Sequence, residues 1–220
     1  MNKKTFAYSL KVFRFDQLWL PLSIGCLFII VSLFSPLERE LMNITRGYLG
    51  AAVPLIGGIM AAYCLLDDPA LELQFSTPVP AFKIFMERFI ILFLLQAVTA
   101  VSFELFTWFM GGDYSIFISF WHVQLAWILP TVSLMALGSV CALITASSTG
   151  GALAVGLVWI VEVIARGWLA GNEGKYFLVF MGALMPDHPD LTANQIVVSG
   201  LSLIFLLVSW RLLRQEERFI

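Results

Sequence analysis

Charge is scarce in this chain. Asp, Glu, Lys and Arg make up 13% of its 220 residues and apolar types 60%, whereas an average soluble domain is roughly 25% charged. That scarcity excludes a disordered segment and an ordinary cytosolic domain, neither of which carries so much apolar surface. Basic residues do not exceed acidic ones: Lys and Arg total 13, Asp and Glu 15. Without a basic patch to neutralise phosphates, no nucleic-acid partner is expected. Cys26, Cys64 and Cys141 fall singly inside apolar runs, which reads as small buried hydrophobes and excludes a disulfide framework or a thiolate metal site. His122 and His188 lie far apart, outside any His-Glu-x-x-His arrangement, and Asp187-His188-Pro189-Asp190 reads as a solvated turn. The chain also lacks a Gly-x-Ser-x-Gly element, a serine joined to a histidine base and a Gly-rich phosphate loop ending in Lys-Ser/Thr. No catalytic residue, metal ligand or bound cofactor is therefore expected on it.

Long apolar runs are what it has. They cover roughly residues 18–34, 48–66, 84–110, 121–146, 152–170 and 196–213, each near the ~20 residues needed to cross a bilayer. The expected fold is an all-α integral membrane protein, one domain over residues 1–220 with six transmembrane helices. The first run is expected to be retained, because Phe34-Ser35-Pro36-Leu37 offers no small-x-small cleavage pattern. Six spans place both termini on one face together with the loop 67–83. The 13 Lys and Arg then divide nine against four in favour of that face, since Arg39, Arg46, Arg166 and Lys175 alone lie opposite. By the positive-inside rule the termini and this loop are cytoplasmic, in a cell (inner or plasma) membrane.

Residues 2–16 carry Lys3, Lys4, Lys11 and Arg14 within about 100° of helical arc, apart from a stripe of Phe6, Leu10 and Phe13. That suits an amphipathic helix lying against anionic lipid, or a plain basic anchor before the first span. In the second span, small residues pair at 47/51, 57/61 and 58/62, and Pro54 sits mid-way; such rows let helix backbones approach closely. Ser147–Gly151 is short enough for a tight hairpin between the fourth and fifth spans. The long loop 171–195 holds an apolar run, 176–185, too short to cross, and a re-entrant or interfacial helix on the outer face is expected there. The seven tryptophans lie largely near span ends, as interfacial belts require.

Two places stand out for function. The first is Asp67–Lys83, which reads as a short helix over 70–75 started by Pro69 with acids beside its N-terminus and ended at Ser76-Thr77-Pro78. The second is the set of charges inside the spans, each costly in hydrocarbon. Glu104 lies toward the outer end of the third span. Glu162 lies mid-way along the fifth with Arg166 at i+4, so that the two either neutralise each other or line a path or a subunit interface.

This arrangement resembles the membrane subunit of an ABC-2-type ATP-binding-cassette exporter. The most specific likeness is DDPALELQFSTPVPAFKIFMERF, similar to that family's acid, small residue, Glu-Leu, Ser/Thr-x-Pro-Val and basic residue before the third span. Asp67 and Asp68 match the acid, Glu72 and Leu73 the Glu-Leu, Thr77, Pro78 and Val79 the turn, and Lys83 the basic residue; Ala70 stands where the family usually has glycine. The resemblance implies that Asp67, Asp68, Glu72, Leu73, Phe75, Thr77, Pro78 and Val79 form a coupling helix docked in a separate ABC ATPase subunit, which binds the ATP and Mg. It also implies a half-transporter: a second permease copy or a paralogue completes the path, with Glu104, Glu162 and Arg166 on the path or at the subunit interface. A haem-exporter-like permease of cytochrome c maturation is similar in length and topology. A six-span scaffold or sensor docking a non-ATPase partner is the alternative of a different class.

Overall fold

The computed structural model describes residues 15–35, 38–64, 66, 81–117 and 120–214. The expected N-terminal amphipathic helix as far as residue 14, and the coupling segment, including Asp67, Asp68, Glu72, Leu73, Phe75, Thr77, Pro78 and Val79, lie outside the described residues. The protein is all-helical, 87% helix with no strand among the described residues. Five helices are long and apolar enough to cross a membrane. In chain order the helices are α1 (Phe15–Leu33), α2 (Glu38–Tyr63), α3 (Ala81–Phe109), α4 (Phe120–Thr145), α5 (Ser148–Ala170), the single turn α6 (Met181–Leu184) and α7 (Leu191–Leu213). All but α1 and α6 belong to the five; the apolar part of α1, Leu18–Leu33, is shorter.

The bundle is built around α2 and α4, whose most apolar stretches are each 61% buried, against 33% for α3, 22% for α7 and 11% for α5. Glycine brings the central pair together. A Cβ on Gly138 of α4 would stand 2.3 Å from the Gly58 carbonyl oxygen of α2, and one on Gly151 of α5 would stand 2.6 Å from the Gly138 carbonyl oxygen. Gly57 likewise faces Thr131 and Met135, whereas Gly47 faces open space. Dispersion between close backbones is what holds helices together where lipid removes the hydrophobic drive. The outer helices present Leu27, Ile30, Leu94, Val98, Leu153, Ile164, Leu203 and Leu207 outward, an apolar belt that only a bilayer would accept. Of the tryptophans, Trp19, Trp108, Trp121 and Trp168 are exposed at helix ends as belts require, while Trp127 is buried and Trp159 half-buried.

One end of the bundle, the basal end, gathers Cys64, Ala81, Leu143 and Leu213; the other, the apical end, gathers Met42, Phe117, Val123 and Ala183. Three sequence boundaries move. The second helix begins at Glu38, ten residues before the expected span, because Glu38–Gly47 is strongly amphipathic and buries Leu41, Met42 and Thr45 on one face. The α4–α5 connection is tighter than expected: Ser147 caps α5 by accepting the Gly150 N–H at 3.3 Å, which draws Thr149–Gly151 into the first turn. The apolar run 176–185 forms a 3-10 turn (Glu173–Phe177) followed by the four-residue α6, not one ten-residue helix.

Candidate functional site

In the apical insert over 178–185, Leu178, Phe180, Met181 and Ala183 are buried and the other four residues are half-buried. Its backbone polar groups therefore need partners from the surrounding helices. At its start, the Glu162 carboxylate of α5 accepts the Val179 and Phe180 N–H groups at 2.9 and 3.3 Å. At its end, Arg46 of α2 donates from Nε to the Ala183 carbonyl and from Nη2 to that of Leu184, both at 2.7 Å. Asn194 of α7 donates to the carbonyls of Lys175 and Leu178 at 2.8 and 2.9 Å. An acid from one helix and a base from another thus hold opposite ends of the same turn, each meeting the backbone charge it complements. Close approach makes this possible. Gly182 lies against Ala126 of α4, and a Cβ on Gly50 of α2 would stand 2.1 Å from the Cβ of Ala183. Beyond the insert, Lys175 and Asp190 form an ion pair at 2.6 Å. The hydrogen bond from Lys175 holds the Asp190 carboxyl below its ordinary range and in turn raises the ammonium of Lys175.

Glu162 and Arg166 are not brought together. Glu162 is buried toward the insert, while Arg166, one turn further along α5, is exposed. The i, i+4 spacing allowed a pair, but the carboxylate turns instead to two backbone amides of the insert. Arg46, which the sequence reading used only for counting charge, is the basic group in this assembly. Its cue was its position: it lies one helical turn or less from the apolar stretch that begins at Tyr48.

Just after Arg46, α2 passes through a π turn, Tyr48–Ala52, ahead of Pro54. The Trp159 indole of α5 donates to the Ala51 carbonyl there at 3.0 Å. Such widened turns mark places where a helix changes shape with little loss of hydrogen bonding. At its basal end the same helix is tied to α3, where buried Arg88 donates to the Cys64 carbonyl at 2.7 Å. Ala61, Cys64, Ala81, Phe85 and Leu213 pack around that joint. One helix therefore connects the flanks of segment 67–80 to the apical insert.

Glu104 stands apart from this assembly, on α3 in a groove between α3, the 3-10 turn Tyr114–Ile116 and the start of α4. The groove encloses about 540 Å³ and is lined by Val101, Glu104, Leu105, Trp108, Tyr114, Phe117, Phe120, Val123 and Gln124. Gln124 donates to Glu104 Oε2 at 2.8 Å, and its own Oε1 accepts the Trp127 indole N–H at 3.1 Å. Tyr114 donates to the Glu104 backbone carbonyl at 3.1 Å and also meets Thr107. The other carboxylate oxygen, Oε1, is buried with no hydrogen-bond partner. Gln124 and Tyr114 were missed in the sequence, where a Gln and a Tyr at span ends are too ordinary to single out.

No protein-family model, curated protein or solved structure matches this chain.

Proposed function

We propose that this chain is the membrane subunit of an ATP-driven ABC-2-type exporter, working as a half-transporter beside a second permease and powered by a separate ATPase. In this reading α1 completes six spans, since its 19 residues reach about 28 Å at 1.5 Å per residue, close to the ~30 Å hydrocarbon core. Both termini and the basal end face the cytoplasm of a cell membrane, and the insert over 178–185 is the re-entrant element of the outer face.

The observation that carries the reading is the continuous tie through α2. The ATPase would pull on segment 67–80, whose described flanks are joined by Arg88 and Cys64. The pull would travel along α2 to Arg46, which holds the insert by two carbonyls. The π turn and Pro54 give the helix its point of give. Motion of a packed bundle passes between discrete arrangements more readily than by continuous bending, so a tie at both ends is what such a transmission needs.

The test places a photo-crosslinking amino acid at Glu72 or Thr77 of the full chain in its native membrane. Crosslinking to a protein that carries a phosphate-binding loop, with a yield that changes on adding ATP and Mg, supports the reading. Crosslinks only to proteins without a nucleotide site overturn it in favour of a scaffold. In the same membranes Glu72→Lys should insert normally and lose the crosslink.

A further inference from the structure

We propose that the basal foot of α7, with the start of α3 beside it, binds the phosphate head of an anionic phospholipid whose tails lie along the outer face of α7. The proposal concerns this chain alone and depends neither on an ATPase nor on which side of the membrane the basal end faces.

At ~100° per residue, Leu203, Leu207, Trp210, Arg211 and Arg214 fall within about 100° of arc at the C-terminal end of α7. All five are exposed. That face therefore passes from side chains that meet lipid tails, through an indole suited to the interface, to two guanidinium groups. This is the order of tail, glycerol and phosphate in a phospholipid standing beside the helix. The sequence repeats on α3, where Lys83, Ile90 and Leu94, all exposed, lie within about 40° of arc with the cation at the basal end.

Ring contacts join the two feet. The Phe82 ring of α3 meets the Trp210 ring with centroids 6.4 Å apart and planes at 65°. The Arg214 guanidinium lies over the Trp210 ring, 4.1 Å from its centroid. Stacking occupies the face of the guanidinium and leaves the N–H donors around its edge to a ligand, in the fork that matches phosphate. Among the described residues, Lys83, Arg211 and Arg214 form no ion pair with an acid. The C-terminal end of α7 offers them only about half a negative charge, too little to balance two guanidinium groups. A phosphate supplies the missing sign. A choline lipid brings its own ammonium and gains less, so the site selects a net-negative head.

The experiment presents the purified full chain, in detergent, with equal amounts of phosphatidylglycerol and phosphatidylcholine, and reads the retained lipid by native mass spectrometry. Phosphatidylglycerol should be preferred about tenfold. Arg211→Gln and Arg214→Gln should each reduce the preference, and the double variant should abolish it while phosphatidylcholine binding stays. Trp210→Leu, which keeps both charges but removes the surface under Arg214, should reduce it in part. Arg39→Gln, which removes an exposed charge at the apical end, should leave it intact. Thermal midpoints in phosphatidylcholine nanodiscs identify any variant that folds poorly, and Lys83→Gln then tests the same site from α3, where a reduced preference is expected. Equal retention of the two lipids, a preference that survives the double variant, or one that falls as far in Arg39→Gln would overturn the proposal. Displacement of the lipid by inorganic phosphate, but not by chloride at equal ionic strength, would reassign the site to a free anion and overturn the lipid.

Discussion

Glu162 and Glu104 are acids on two different helices whose hydrogen-bonding capacity is filled to different degrees. Both sit within helices able to cross a membrane, toward the apical end. Glu162 is 6% exposed and receives two backbone N–H groups. Glu104 receives one side-chain amide and leaves its second oxygen buried and unpartnered beside a groove. The first acid is a structural fastener, because removing it takes the acceptor from two backbone amides of the insert. The second is held by Gln124 through one oxygen, while the other is shut away without a partner. A charge in hydrocarbon therefore does not by itself signal transport; what matters is whether its hydrogen-bonding capacity is already filled.

That contrast can be broken by substitution. Glu162→Ala should have the largest effect, lowering stability by about 3 kcal/mol as the Val179 and Phe180 amides lose their acceptor. A thermal midpoint in detergent unchanged from wild type would remove Glu162 from the fastening role. Arg46→Met should cost about 2 kcal/mol, less than the acid, since carbonyls tolerate under-satisfaction better than N–H groups. Arg46→Lys should recover only part of it, because an ammonium cannot reproduce the guanidinium fork across two carbonyls. Glu104→Gln should cost under about 1 kcal/mol, because the retained amide oxygen still accepts from Gln124 and a buried charge is removed. A loss matching that of Glu162→Ala would show that Glu104 is structural too.

The smallest effect concerns pH. The folded-state value of Asp190 lies below its ordinary 3.8 and that of Lys175 above its ordinary 10.5. The stabilisation from Asp190 is thus present above 3.8 and lost as pH falls through its lowered value. That from Lys175 is present below 10.5 and lost as pH rises through its raised one. Asp190→Asn should lower the midpoint slightly at about pH 7, with the difference shrinking by about pH 3. A difference that stayed constant across that range would mean the ion pair is not what Asp190 contributes.

Much of the helical framework was readable from hydropathy alone, since α3, α4, α5 and α7 lie within a few residues of the expected runs. Length and apolarity are local properties, and a bilayer makes them decisive. The start of α2 was not readable in that way. Glu38, Arg39 and Glu40 resemble a loop in composition, yet they face outward on a helix whose other side is buried. The small-residue rows pointed correctly to close packing at Gly57 and Gly58 but not at Gly47, because spacing says nothing about which face meets a neighbour. The site was harder still. Glu104 and Glu162 stood out as costly charges, but their partners lie far away in the chain: Gln124 for one, Val179 and Phe180 for the other. Glu162 with Arg166 looked like the natural pair only because sequence exposes near neighbours first. The insert was recognised as too short to cross. Its single turn and its reliance on Arg46 depend on tertiary contacts that no periodicity reveals.

Hydrogen exchange at the Val179 and Phe180 amides tests the fastening of the insert most directly. The account predicts slow exchange in the wild-type chain, equally slow exchange in Glu104→Gln, and exchange faster by at least tenfold in Glu162→Ala. Unchanged protection of those two amides in Glu162→Ala, or an equal loss in both variants, would contradict the separation of the two acids.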